Sequence, residues 1–167
     1  MTRQRELTEY GTPLSDEWNT PTSITSMVGV VDWDPFSNAK STVRARARGG
    51  LDIGVDGYDL SNWPEVGVVF VNWPFSASMA GAETLMLWLM KSEFGRSATV
   101  VHKADLSTGW YRRLTEGYNY RMLIPPKRIN YVSERGNSAN FCSVVSCLGP
   151  DMTFQRNAEA AGWRTFQ

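Results

Sequence analysis

Histidine and cysteine are almost missing from this chain. His102 is the only histidine, and Cys142 and Cys147 are the only cysteines. A structural zinc site takes four His or Cys ligands at short spacings, so that class is excluded. The two cysteines lie five residues apart in one expected strand, where their side chains point to opposite faces and do not bridge. Long apolar runs are missing as well. No stretch approaches the ~20 residues of a membrane span, and residues 1 to 10 are polar and charged, without the pattern of a signal peptide. The expectation is a protein of a reducing, cytoplasmic setting, with no metal and no membrane partner.

Net charge is zero, which argues against general coating of nucleic acid. The charges are nevertheless segregated. Lys40, Arg44, Arg46 and Arg48 fall in a stretch with no acid, and five acids without a base lie between Gly49 and Met90. From Lys91 to Arg135, nine bases stand against four acids. Such segregation builds a basic face opposite an acidic pocket, or else it marks ordinary solvated faces. With 167 residues, 42% of them hydrophobic, and seven tryptophans, the chain suits one globular domain with a substantial core.

The pattern of elements predicts an α/β fold. Residues 1–15 read as a loose arm punctuated by Gly11 and Pro13. Thr20-Pro21 fits an N-cap with proline at the first helical position, opening a short helix to about Val28. Gly29 to Asp34 reads as a strand stopped by Pro35. Ser37 is expected to cap a second helix that runs through the arginines to Gly49-Gly50, followed by a short strand at Leu51–Ile53. Val66 to Val71 is an apolar run of the kind found in a buried strand. From Ser78 to Phe94, Met79, Ala82, Leu85, Met86, Leu89 and Met90 recur at helical spacing, and its methionines are expected in the core. Strands follow at Ala98–His102, Tyr118–Ile124, Ile129–Val132 and Cys142–Leu148, with a helix from Ser107 or Thr108 to Gly117. Residues 151–167 are left as a tail, helical or extended. Alternating strands and helices imply a mostly parallel sheet covered on both faces, with an antiparallel closing edge.

Asn72-Trp73-Pro74-Phe75 carries the most chemical information. It ends the buried Val66–Val71 strand, and ligands of α/β sheets bind beyond the carboxyl ends of strands. The stretch brings together a side-chain amide, the main-chain carbonyl of Trp73, a rigid turn at Pro74 and the flat ring of Phe75. Two acceptors beside a ring suit an exocyclic amino group on a flat heterocycle. A buried amide must also find partners, whatever its role. Asp32 and Asp34 fall at the carboxyl end of another strand.

Four stretches in order resemble the small phage-type DNA N6-adenine methyltransferases (Dam-like). Asp16-Glu17-Trp18-Asn19-Thr20-Pro21 resembles the opening of that family. Asp32-Trp33-Asp34-Pro35-Phe36-Ser37-Asn38 resembles its Asp-x-Asp-Pro-x-Ser-Asn element. Asp56-Gly57 precedes Asn72-Trp73-Pro74-Phe75-Ser76 as the family's Asp-Gly precedes its Asn-Pro-Pro-Tyr-Ser. Lys103 to Tyr111 resembles a later Asp-x-x-x-Trp-Phe segment. The likeness spans about residues 15 to 150 and marks 16–150 as the expected methyltransferase domain.

The resemblance implies a Rossmann-like class I methyltransferase sheet with S-adenosylmethionine (AdoMet) as methyl donor. Trp18, Thr20, Pro21, Asp32, Asp34, Pro35, Ser37 and Asp56 would then hold the cofactor, and Asn72 to Phe75 would hold the target adenine. Phe75, with Phe141 or Tyr131 as a second wall, would stack on a base flipped out of the DNA. Lys40, Arg44, Arg46, Arg48, Arg112, Arg113, Lys127 and Arg128 would contact phosphates. The chain departs from the family twice. Trp73 stands in place of proline and puts an indole at the pocket rim, and no glycine lies between Asp32 and Arg48. The competing expectations are transfer to cytosine N4 or to RNA, and a methyltransferase fold that binds nucleic acid or a partner without catalysis.

Overall fold

The computed structural model describes residues 19–91, 94–131 and 142–167. The arm at 1–15, Trp18, Val132, the loop at 136–138 and Phe141 lie outside them. The chain builds α1 (Thr22–Val28), β1 (Val30–Asp34), β2 (Arg44–Arg48), β3 (Gly67–Val71), α2 (Ser78–Met90), β4 (Arg96–Lys103), α3 (Gly109–Thr115), β5 (Arg121–Ile124), β6 (Ser143–Leu148), α4 (Thr153–Ala160) and β7 (Arg164–Phe166). One seven-stranded sheet runs in the order β2-β1-β3-β4-β6-β5-β7. The pairs from β2 through β4 are parallel. Those from β4 through β7 are antiparallel, so β6 and β7 run against the other five strands.

Two cores cover the two faces, as an α/β sheet requires. Ile24 and Val28 of α1 and Phe154 and Ala158 of α4 share one cluster with Val31, Phe70, Val101 and Val145. Ala82, Leu85 and Trp88 of α2 and Trp110 and Leu114 of α3 share the other with Val69, Val71 and Val100. Val69 and Val71 therefore face one core and Phe70 the other, which is why β3 is apolar throughout rather than alternating. Full burial of each such side chain stabilises by about 1.5–3 kcal/mol.

Several elements differ from expectation. No helix runs through the arginines: Ser37 is buried in a loop, where its N–H donates to the Gly49 carbonyl at 2.8 Å. Arg44-Ala45-Arg46-Ala47-Arg48 forms β2 instead, in parallel register with β1. The Arg-Ala alternation has the period of a strand, and an edge strand tolerates charge on its open face. Leu51–Ile53 is a single 3₁₀ turn between Gly50 and Gly54 rather than a strand. Residues 129–131 belong to no strand. Pro21 is the N-cap of α1, so the helix starts one position later than expected, and Pro21 makes no side-chain capping bond. The helix α2 ends at Met90, and Met79 and Met90 are 47% and 68% exposed, so neither is core. Residues 151–167 supply α4, whose Phe154 is fully buried, and β7, which pairs with β5.

Strand β1 has β2 on one side and β3 on the other, so the chain reverses direction across the sheet after β2. The crevice at the carboxyl ends of β1 and β3 is the switch point at which such sheets bind ligands.

Candidate functional site

A cavity of about 720 Å³ opens at that switch point. The loop after β1 contributes Asp34, Pro35, Phe36, Ser37 and Lys40; the segment around Asp56 forms a second wall; Asn72 to Phe75 form a third. The volume is within the range of small-molecule sites. The walls fit closely because glycine faces the glycine-free loop after β1 from the other side. A Cβ on Gly57 would stand 2.0 Å from the Pro35 carbonyl oxygen, and one on Gly50 would stand 2.1 Å from that of Ser37.

Asn72 is half-buried at the end of β3. Its Nδ2 donates to the Thr20 hydroxyl at 2.7 Å. That bond gives Thr20 a purpose other than capping: it fixes the amide, with Oδ1 left as acceptor. The Trp73 indole does not stand at the rim. It is buried in the α2–α3 core, with its ring edge-on to Trp110 at 5.7 Å. A Cβ on Gly81 would come within 2.8 Å of it, so glycine in α2 makes its room. With the indole turned inward, the main chain of Trp73 borders the cavity, and its carbonyl accepts no hydrogen bond among the described residues. Pro74 then starts a tight turn, with its carbonyl accepting from the Ala77 N–H at 2.8 Å. The Phe75 ring meets Tyr131 edge-on at 6.3 Å, and the Lys103 ammonium lies 5.1 Å from its centre.

Asp34 is the buried charge of the site, 2% exposed. Burial pushes its carboxyl up from 3.8 to about 6, against the opposing pull of the Ser37 hydroxyl, the Phe36 amide, the Arg48 charge and the Ser41 hydroxyl. The Ser41 hydroxyl is 3.5 Å away. Asp56 is at the exposed rim, where Oδ1 accepts from the Tyr58 N–H at 2.8 Å. Phe36 and Tyr58 form an aromatic wall, with centroids 4.8 Å apart.

Thr20, Asp34, Pro35, Ser37, Lys40, Asp56 and Asn72 to Phe75 thus meet at one cavity. Pro21 and Asp32 are not among its lining residues. Asp32 accepts from the Val68 N–H at 2.9 Å and pairs with Arg46 at 3.6 Å, which ties β3 and β2 to β1. Arg46 and Arg48 are likewise engaged by the sheet, Arg48 through a 2.6 Å bond to the Val43 carbonyl. Arg44 is exposed on β2, and Arg113 pairs with Glu116 at 3.0 Å. Lys127 and Arg128 line a separate cleft of about 250 Å³ with Trp163. Lys40, Lys103, Lys127 and Arg128 all lie at or beyond the carboxyl ends of β1, β4 and β5, on the cavity's edge of the sheet. Sequence reasoning missed the Phe36–Tyr58 wall, the Thr20 anchor and the Lys103 contact. Only the first had a signal, in aromatics beside the two aspartate motifs.

The arrangement defines an α/β protein with a switch-point cavity suited to a flat, hydrogen-bond-donating molecule carrying positive charge. No family model matches the chain, and no curated protein matches it. Among the described residues, no group of three or more His, Cys, Asp or Glu is placed to hold a metal, and no helix is long and apolar enough to cross a membrane.

Proposed function

We propose that the chain transfers a methyl group from AdoMet to the exocyclic N6 amino group of adenine in DNA. The observation that carries the reading is the convergence of Asn72, the Trp73 main chain and the buried Asp34 on one cavity. The residues fit the cofactor on their own chemistry. A carboxylate whose charged form burial disfavours gains most from a cationic partner, which the α-ammonium supplies. The rings of Phe36 and Tyr58 suit its adenine, and Asp56 is at the same wall. AdoMet, when bound, contributes an electrophilic methyl group.

The chain's own contribution is positioning and electrostatics. An adenine amino nitrogen is a weak nucleophile because its lone pair is delocalised into the ring. Asn72 Oδ1 and the Trp73 carbonyl each accept one of its N–H groups, which favours a pyramidal nitrogen and stabilises the positive charge that develops there. Thr20 holds the amide in that orientation. Trp73 serves in place of proline because the acceptor is its carbonyl, while its indole packs elsewhere. Phe75 stacks on the flipped base, and Lys40, Lys103, Lys127 and Arg128 are the cations best placed for phosphates.

The test is transfer of labelled methyl from AdoMet to unmodified genomic DNA, with Asn72→Ala in parallel and the nucleosides identified. N6-methyladenosine that disappears in the variant supports the reading. Methyl on cytosine N4 or on RNA shows that the same acceptor pair serves another amine. AdoMet binding with no transfer to any of these, or no binding, overturns it.

A further inference from the structure

The outer face of α2 does not look like a solvent face. Between Ser78 and Met90, Glu83 is the only charged residue. Ala82, Leu85, Met86 and Trp88 face the core, yet the opposite side is also apolar: Met79, Leu87 and Met90 are 47%, 53% and 68% exposed. A helix apolar on all sides is normally covered on all sides. The contrast is α4, where Phe154 and Ala158 are buried and Arg156, Asn157 and Glu159 are exposed.

We propose that a second copy of this chain covers α2, by antiparallel packing of the two α2 helices about a two-fold axis through Leu87. The charges on the stripe point to this partner. Glu83 and Lys91 are each four residues from Leu87, on opposite sides along the helix, and both are exposed. Neither makes a salt bridge among the described residues. Each is about 6 Å from Leu87 along the axis. A two-fold axis through Leu87 therefore sets Glu83 of one copy opposite Lys91 of the other, twice, with the leucines in contact at the centre. That is the self-complementarity an isologous interface requires. The helix has 13 residues and spans about 20 Å, so the pair buries less than the ~1,600 Å² of a standard interface. An interface of that size makes a reversible, concentration-dependent dimer.

Sedimentation velocity on the full chain over a concentration series tests this without reference to methyl transfer. The wild type is expected to pass from monomer to dimer, and Leu87→Glu to remain monomeric. Glu83→Lys sets like charges opposite one another and weakens association about tenfold or more. Adding Lys91→Glu to it restores wild-type affinity. All three positions are exposed, so the melting of dilute samples, followed by circular dichroism, is expected to be unchanged. If Leu87→Glu fails to fold, the charge pair alone decides. A monomer at every concentration overturns the proposal, which leaves the face to another partner. So does a dimer indifferent to Leu87→Glu, or a Glu83→Lys defect that the charge swap does not repair.

Discussion

Two buried polar clusters, one where β4 meets β6 and one at the carboxyl ends of β1 and β3, are arranged on different terms. Where β4 meets β6, His102 is fully buried, and each of its ring nitrogens has a partner: the Lys103 carbonyl at 2.8 Å and the Ser146 hydroxyl at 2.7 Å. The Tyr120 hydroxyl lies 3.2 Å from Ser146 and 2.8 Å from that of Tyr111. A neutral imidazole protonated on Nδ1 donates to the Lys103 carbonyl and lets Nε2 accept from Ser146, while the Tyr120 hydroxyl donates to that of Tyr111. At the carboxyl ends of β1 and β3 the accounting stays open. Asp34 is buried without a full counter-charge, and the Asn72 amide is fastened by its nitrogen while its oxygen borders a cavity. Polar groups that satisfy one another stabilise a fold, whereas polar groups left facing a cavity are available to a ligand.

The largest expected effect is in the open cluster. On the proposed function, Asn72→Ala removes one of two acceptors aimed at developing charge and lowers transfer about 10²- to 10³-fold. Asn72 is only half-buried, so the melting temperature is expected to change little. A fold-sized loss of stability in this variant, with transfer per folded molecule intact, breaks the comparison by making Asn72 a structural residue.

The two clusters also answer acid in opposite directions. Burial pushes His102 down from 6.5 to about 4, so acidification between those values protonates the unfolded chain first and stability falls. Burial pushes Asp34 up from 3.8 to about 6, so acidification between those values protonates the folded chain first and stability rises. At 1.36 kcal/mol per pH unit, each response amounts to about 3 kcal/mol, and in the wild type they oppose one another. Asp34→Asn is expected to lose stability steeply between pH 6 and pH 4, and His102→Gln to lose less or to gain. The carboxylates with lowered pKa values, Asp59 and Glu159, are common to both variants, so the difference between the two slopes isolates the pair. Urea titrations at a series of pH values measure it; equal slopes sink the assignment.

The same carboxyl predicts a smaller effect on binding. On the proposed function the cationic cofactor pairs with ionised Asp34, so AdoMet affinity is expected to fall about tenfold per pH unit below about 6 and to be flat above it. Calorimetry across that range checks the threshold, and Asp34→Asn is expected to abolish the dependence while weakening binding throughout.

Much of this comparison was legible in the sequence. The apolar run ending at Asn72, the helical spacing of Ala82, Leu85 and Met86, and the stop at Pro35 are local signals, and the elements follow them. What failed was decided by contact. Ser37 and the arginines satisfy helix rules, but pairing with β1 selects the strand that Arg-Ala alternation also permits. The Trp73 indole turns inward because Gly81, in the first turn of the next helix, leaves room for it. No window on the sequence joins Thr20 to Asn72, which are 52 residues apart.

Asp32 and Asp34 bring the contrast down to a single strand. Both fall in the motif that suggested a cofactor role, and they differ by two residues. The Asp32 carboxylate is taken up by the Val68 amide and by Arg46, at a place where β1 and β3 share only the Trp33–Val69 register pair. Its work is to hold the start of β3 so that Asn72 emerges at the cavity. Asp32→Ala leaves the Val68 N–H without that acceptor in a partly buried setting, a loss of about 1–2 kcal/mol. Part of the Arg46 pair is lost as well, worth less because Arg46 is largely exposed. The expected result is a lower midpoint in urea with AdoMet affinity of the folded protein unchanged, the reverse of Asp34→Asn. Affinity that falls in step with the Asp34 variant would instead place both carboxylates at the ligand, and the motif would then act as one unit.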